Sequence, residues 1–489
     1  MGAHTLRPAL VGSLFALATL GGCAVQPPPS AEALQAQALP HTTVPPAWTA
    51  GAAAAQQVAD GWLAGFDDPA LPPLVGEALA YNADLQVAVA RVEQAAGYVK
   101  VASASLLPTL GVVGLGGGKS GGSGGLDGIF LNAALELDVW GRIRYGQAAA
   151  EQQQQALAAD YAYARQSLAA TVVKSWFLAV EAGLQRDIAG QALQAAEALQ
   201  RVAQDRQRIG SGNEQAVAEA RANVGSYRDR LRQVALSREQ ALRALELLLG
   251  RYPSAELQVA ERLAPVPAAL SVGLPAQLLE RRPDVVAAER RVAAAFDRVG
   301  EARAAQLPRI SLTAGVSSVS SDLLVLQNNG NPLWSVGGTL LAPLYQGGAL
   351  RAQVEIRSAE QQQAVAEYAR TAQRAFGEVE NALAAERALR EREDILAATL
   401  RDSARALQLA QVQYRVGNAD LRAVEQSQLA LYGARINLLR VQSEQLAQRV
   451  NLVLALGGGF DAPPLAAATP QHVAALPAPA TASPATPTR

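Results

Sequence analysis

The sequence predicts a mainly α-helical chain that also carries membrane β-strands and is built twice over. Three observations lead there. Two stretches without proline, 109–252 and 344–462, hold mostly Ala, Gln, Leu, Arg and Glu, residues that favour helix. Short runs beside the start of each stretch alternate apolar and polar residues with the period of a strand. The two stretches and their flanks also repeat one another at a spacing of about 200 residues, far longer than a solenoid unit.

The N-terminus reads as an address. Residues 1–22 form a signal peptide, with Arg7 ahead of an apolar run from Ala9 to Leu20. Roughly a dozen apolar residues are too few to span a bilayer. The run ends in Leu20-Gly21-Gly22-Cys23, which resembles the bacterial lipobox. That likeness implies cleavage before Cys23 and covalent diacylglycerol and N-acyl lipid on it. Two or three acyl chains make a stable anchor. Ala24 stands where an inner-membrane retention signal has Asp, so outer-membrane sorting is expected. Residues 23–59 are then a lipid-anchored tether, flexible because Gln26–Pro46 is rich in proline.

Two halves follow, 60–259 and 260–459. Ala83-Asp84-Leu85 with Arg91-Val92 recurs as Pro283-Asp284-Val285 with Arg291-Val292. Leu106-Leu107-Pro108-Thr109 recurs as Gln306-Leu307-Pro308-Arg309, and Arg208-Ile209-Gly210 as Arg415-Val416-Gly417. Each half reads as a helical segment, a strand, a Gly/Asn/Ser loop, a strand, a very long helix, a turn and a return helix. The long helices are expected at Ile143–Ile209 and Leu350–Val416, each about 100 Å at 1.5 Å per residue. Glycine turns end them, and the return helices reach about Leu249 and Leu456.

The strand runs alternate. From Ile129 to Trp140, Ile129, Leu131, Ala133, Leu135, Leu137 and Val139 oppose Asn132, Glu136 and Asp138. Ile310, Leu312, Ala314 and Val316 oppose Ser311, Thr313, Gly315 and Ser317, and Trp334 to Leu344 alternates likewise. The run at Thr109–Leu115 alternates least clearly. Such runs match outer-membrane barrel strands with lipid outside and water inside. Asn132, Glu136 and Asp138 are therefore candidates for the barrel lumen. Four strands cannot close a barrel, and open edges do not persist in hydrocarbon. Several copies must share one barrel, with 116–125 and 320–331 as its outer loops.

Composition removes other classes. Formal net charge is −1, so no nucleic acid is expected as partner. The one cysteine is Cys23, and His4, His41 and His472 all lie outside the long ordered middle. No Ser-His-Asp, Cys-His or His-metal set can form there, so no catalytic residue, no metal and no cofactor beyond the lipid on Cys23 is expected. Gly118-Lys119-Ser120 looks like the end of a phosphate loop, but the required upstream glycine falls at Val113. Residues 460–489, rich in Pro, Ala and Thr, read as a disordered tail.

With these elements in hand the chain resembles the TolC-type outer-membrane efflux proteins, in particular the NodT-type or OprM-like lipoprotein branch, over about Asp60–Gly459. The most specific segments are Leu135–Arg144, Pro343–Arg351, Arg281-Arg282-Pro283-Asp284 and the two Arg-x-Gly turns. The resemblance implies a homotrimer whose twelve strands form one outer-membrane β-barrel, continued by a periplasmic α-helical barrel. It also implies a mixed equatorial belt near Arg251–Leu270 and after Leu456. Its partners would be a periplasmic adaptor and an inner-membrane transporter of the resistance-nodulation-division class. The chain would sit in the cell outer membrane, project into the periplasm, and passively conduct drugs or other small molecules. The turns 208–213 and 415–420 would form the tip where adaptors dock, with Arg208, Gly210, Arg415, Gly417, Asp420 and Arg422 as docking and gate candidates. Asp420 would narrow the aperture. A duct for type I protein secretion, a pore-less lipid-anchored coiled-coil scaffold and an exported hydrolase are the rival readings.

Overall fold

The structure is a computed structural model that describes residues 25–50, 61–115, 126–268, 272–321 and 333–459. The signal segment, Cys23, the loop 116–125, the loop beyond Ser321 and the tail 460–489 lie outside the described residues. In chain order the elements are α1 (Ala31–Ala38), α2 (Leu71–Tyr81), α3 (Ala83–Ala104), β1 (Thr109–Leu115), β2 (Leu126–Leu137), α4 (Arg142–Arg208) and α5 (Glu214–Leu248). There follow α6 (Pro283–Ala304), β3 (Arg309–Ser321), β4 (Leu333–Leu341), α7 (Ala349–Arg415) and α8 (Leu421–Ala455).

The duplication is one of equal lengths. Helices α3 and α6 have 22 residues each, α4 and α7 have 67, and α5 and α8 have 35. The long helices also end alike. After α4, Gly210 takes φ +76° and Ser211 N–H donates to Arg206 O at 2.9 Å; after α7, Gly417 takes φ +83° and Asn418 N–H donates to Gln413 O at 2.9 Å. These are left-handed glycine caps, which satisfy carbonyls that a helix end leaves open. Asn213 and Asp420 then start the return helices by accepting from Ala216 N and Ala423 N, both at 2.9 Å, as N-cap side chains do.

Helix α4 packs against α3, α5, α6 and α8, and α7 packs against α6 and α8. The wall therefore runs α3–α4–α6–α7 near the sheet and α5–α4–α8–α7 away from it. The short helices meet end to end beside their unbroken neighbours. At one joint Asn82 caps α3 by accepting from Leu85 N at 3.1 Å, while its Nδ2 donates to Leu248 O of α5 at 3.1 Å. At the other, Arg282 sits at the same repeat position, fully buried, and its Nη1 donates to Ala455 O of α8 at 3.4 Å. Asp284 takes the guanidinium bidentately at 2.9 and 2.7 Å, and Glu378 of α7 takes it at 2.6 Å. Gly250 and Gly457, both at positive φ, let the chain turn tightly against Tyr81 and Arg282.

Two apolar cores lie at the level of these joints. Trp62, Phe66, Leu71 and Val75 pack on Val172, Val173, Trp176, Phe177 and Val180 of α4, with Leu242 and Leu245 of α5 and Leu446 and Val450 of α8. Each large side chain so buried contributes about 1.5–3 kcal/mol. By length and composition α4 could cross a membrane, but more than half of its apolar window is buried in this core. The second core joins Val285 and Val292 of α6, Tyr368, Ala372 and Val379 of α7, and Leu452 of α8 to Leu34, Leu39 and Trp48.

That last contact corrects the expectation of a flexible tether. Residues 25–50 form a strap held along its length. Ser30 caps α1, and Leu34, Leu39 and Trp48 are buried. Trp48 Nε1 donates to Val272 O at 3.2 Å, and Glu380 of α7 accepts from Thr49 N and Ala50 N, each at 2.8 Å. The prolines suit an extended chain, but Leu34, Leu39 and Trp48 find sites on the second half.

The strands form one antiparallel sheet in the order β1-β2-β3-β4. The strand expected to run to Trp140 stops at Leu137, and the one expected to reach Leu344 stops at Leu341. In the first case the cause is Asp138, whose carboxylate turns to α4 and accepts from Ile143 N and Arg144 N at 2.9 and 3.0 Å. In the second, Pro343 has no N–H to give a ladder.

Candidate functional site, the sheet and the helix tips

The register sorts the sheet into two faces. Leu110, Ala133, Ala314 and Val336 stand in one row, and Val112, Leu131, Val316 and Trp334 in the next. The opposite face carries Gly111, Asn132, Gly315 and Ser335 in one row, and Glu136, Ser311 and Thr339 in another. On the apolar face Leu110 is 75% exposed, Trp334 79% and Val336 89%. Water would penalise so much contiguous apolar surface, so this face needs a nonpolar environment. Among the described residues the outer ladders of β1 and β4 have no partner strand, which in hydrocarbon requires neighbouring copies.

Asn132 stands on the polar face, and its Oδ1 fills the space that a side chain at Gly111 would take. Glu136 is on that face too, but Arg142 holds it through contacts of 2.9, 2.9 and 3.1 Å. Asp138 lies beyond the strand, where it caps α4 and accepts from Arg144 Nε at 3.1 Å. Two of the three lumen candidates therefore fasten the sheet to its helix. Trp140 adds a third fastening, its Nε1 donating to Pro308 O of the second half at 2.7 Å.

At the far ends of the long helices the six tip candidates separate into roles. Arg208 is exposed and pairs locally with Asp205. Gly210 and Gly417 form the glycine caps, and Arg415 is exposed at the end of α7. Asp420 is committed to its cap on α8. Arg422 reaches across to the first half, its Nη2 lying 2.6 Å from Glu219 Oε1 on α5. Gln215 and Arg422 donate to Glu219 and hold its carboxyl below the usual range. A second crossing was not visible in the sequence. Arg206 of α4 lies over the Tyr414 ring of α7, 3.9 Å from its centre, and its Nη2 donates to Tyr414 O at 3.0 Å. Stacking of a guanidinium on an aromatic face is attractive in itself. Proximity to the Arg-x-Gly turns was the one available signal for Arg206 and Tyr414. Glu219 had none.

Between α5 and α8 a groove of about 970 Å³ opens, floored by Ala196 and Leu199 of α4. Tyr227 and Tyr432 meet edge to face within it, 6.0 Å between centres. Burial pushes the Glu425 carboxyl up. Among the described residues no group of His, Cys, Asp and Glu is placed to hold a metal ion.

Comparison with known proteins gives a consistent picture. The family described as Outer membrane efflux protein matches residues 74–251 and 274–458. The Cation efflux system protein CusC of Escherichia coli (strain K12) is 31% identical over 411 residues, which cover 82% of this chain and 89% of CusC. The Pyoverdine export outer membrane protein OpmQ of Pseudomonas aeruginosa is 31% identical over 464 residues, 90% of this chain and 95% of OpmQ. The crystal structure of the Campylobacter jejuni CmeC outer membrane channel superposes with a TM-score of 0.80 at 25% identity, covering 86% of this chain and 93% of CmeC.

Proposed function

This chain belongs to the outer membrane efflux protein family, and from that premise we propose that it is a lipid-anchored exit duct whose tip opens when the links between its two halves give way. The protein is the outer-membrane channel of a tripartite efflux pump, and it transports without covalent chemistry. It acts as a trimer with a periplasmic adaptor and an inner-membrane transporter, which on our reading is of the resistance-nodulation-division class. Its four strands supply one third of a shared barrel, with the row of Leu110, Ala133, Ala314 and Val336 toward lipid and the row of Asn132, Gly315 and Ser335 toward water. Cys23 carries the lipid. Cargo is of the kind that relatives' names record, cations, pyoverdine, toluene or antibiotics, and small molecules in general are the class proposed here.

The observation that carries the gating part is the pair of crossings between the halves, Arg206 with Tyr414 and Arg422 with Glu219. Both lie within a few residues of the turns, so separating the α4–α5 pair from the α7–α8 pair must break them. Adaptor binding at the turns is the proposed trigger, and the transporter supplies the energy. A photo-reactive side chain at Asn418, exposed and free of the capping role of Asp420, tests the orientation. Capture of a periplasmic adaptor in cells supports it. Outer-membrane fractionation with no periplasmic protein captured refutes the tip assignment. Mass measurement of the N-terminal peptide tests the lipid on Cys23.

A further inference from the structure

At the foot of the sheet the strap meets the body of the protein on a surface made by residues far apart in sequence. Gln26 N–H donates to Tyr145 Oη at 2.9 Å, across 119 positions. Beside it Val25 rests on Gly141, where an added Cβ would stand 3.2 Å from Val25 Cγ2; φ there is +75°. The Tyr145 ring lies in turn on the backbone of α6 at Gly300. A Cβ on Gly300 would come within 2.6 Å of the ring's Cδ1 and Cε1, closer than packed atoms can stand. A glycine inside a helix is destabilising relative to alanine, so its presence in α6 calls for a reason, and the ring supplies one.

We propose that Tyr145, laid on Gly300, is a dock for the N-terminal end of the strap, holding residues 25 and 26 at the periplasmic foot of the barrel. The duplication supplies an internal comparison. By the register that pairs Arg142 with Ala349 and Ala83 with Pro283, the counterparts of Tyr145 and Gly300 are Ala352 and Lys100. The equivalent junction of the repeat therefore lacks both the acceptor and the bare backbone. The dock is one end of the strap, and the carboxylate of Glu380, which takes Thr49 N and Ala50 N, is the other.

The dock decides where the first residues meet the bilayer. Cys23 lies two residues before Val25, so its Cα is within about 8 Å of Val25 Cα. Gly141 is four residues past the end of β2 and follows the exposed Trp140. Acyl chains on Cys23 would thus enter the membrane against the foot of the barrel and not at a distance from it. This last consequence rests on the lipoprotein reading above; the dock does not.

The test uses the full-length protein, processed in cells and reconstituted in phospholipid vesicles, with Gln26→Cys carrying a nitroxide. The backbone N–H at 26 is kept by that change. An immobilised spectrum is expected, becoming mainly mobile in Tyr145→Phe, which removes only the acceptor, and in Gly300→Ala, which lifts the ring. Tyr145→Phe keeps the packing of the ring, so its outcome stands even where Gly300→Ala does not fold. A mobile label in the parent, or one that stays immobile in Tyr145→Phe, overturns the dock. Mass spectrometry of the same samples reads the lipid separately. An immobile label above an unmodified Cys23 removes the lipoprotein reading and leaves the dock standing.

Discussion

Replacing Asp297 by Asn should make the helical wall more stable at neutral pH and change how its stability depends on acid. Asp297 is 2% exposed on the face of α6 that packs against α4, and the charge acting on it is that of Glu151, another acid. Burial first, and Glu151 second, push its carboxyl up from 3.8 to about 6. At about 1.36 kcal/mol per unit, the penalty for the charged form in the folded protein is at most ~3 kcal/mol. The folded value is the raised one, so the folded state binds the proton more tightly than the unfolded chain. The favourable contribution is complete below about pH 4, is lost as the pH rises to about 6, and stays lost at neutrality. Asn carries no charge, so the variant should escape this loss. The assay is thermal unfolding of the detergent-solubilised channel, followed by helix circular dichroism at one scan rate across that pH range. The difference between variant and parent is the quantity read, since other acids titrate equally in both. The parent's midpoint should fall relative to the variant's between about pH 4 and pH 6. Midpoints that run parallel through that window would refute the buried, destabilised carboxylate.

Three further outcomes are expected. Arg282→Met removes the buried cation between Asp284 and Glu378, leaving them only the more exposed Arg374 at 3.4 and 3.7 Å, and takes from Ala455 O its guanidinium donor. Breaking such a buried pair costs about 3 kcal/mol, and it should appear as loss of the heat-stable oligomer on gels. Trp48→Ala removes an aromatic plug from the second core and the hydrogen bond to Val272 O. A cost of about 3 kcal/mol, local to the strap, should appear as faster protease cleavage near residue 50 while the long helices stay intact. Arg206→Ala combined with Arg422→Ala removes both crossings at the tip. Single-channel conductance in planar bilayers should rise with little change in unfolding midpoint, and an unchanged conductance would argue against these contacts as the gate.

The long helices were legible because their signals are local. Proline-free stretches bounded by Arg-x-Gly turns placed both ends of α4 and α7 and the last residues of α5 and α8 to within a residue, and Gly210 and Gly417 take the left-handed conformation that ends a helix. The two-faced sheet was legible for the same reason, since parity along a strand is a local property. Asp138 shows where parity misleads. It continues the alternation of β2 but turns to cap α4, a choice made by the helix start four residues on. The strap failed differently: its composition suggested a loose chain, yet Leu34 and Trp48 pack on residues more than 200 positions away. Pairings such as Glu219 with Arg422 likewise leave no trace in spacing, because two residues 203 apart meet only through the path of four helices.

The end-to-end joints carry one more consequence. The first is closed by a neutral amide and the second by a guanidinium held between two carboxylates. Around a ring of three chains, amide and ionic joints must alternate, six in all, on a wall whose helix lengths are matched pair by pair. Its outline can approach sixfold symmetry, but its stiffness cannot. Removing the Arg282 cation will weaken every second joint and spare the rest, so the wall will yield in three places and hold in three.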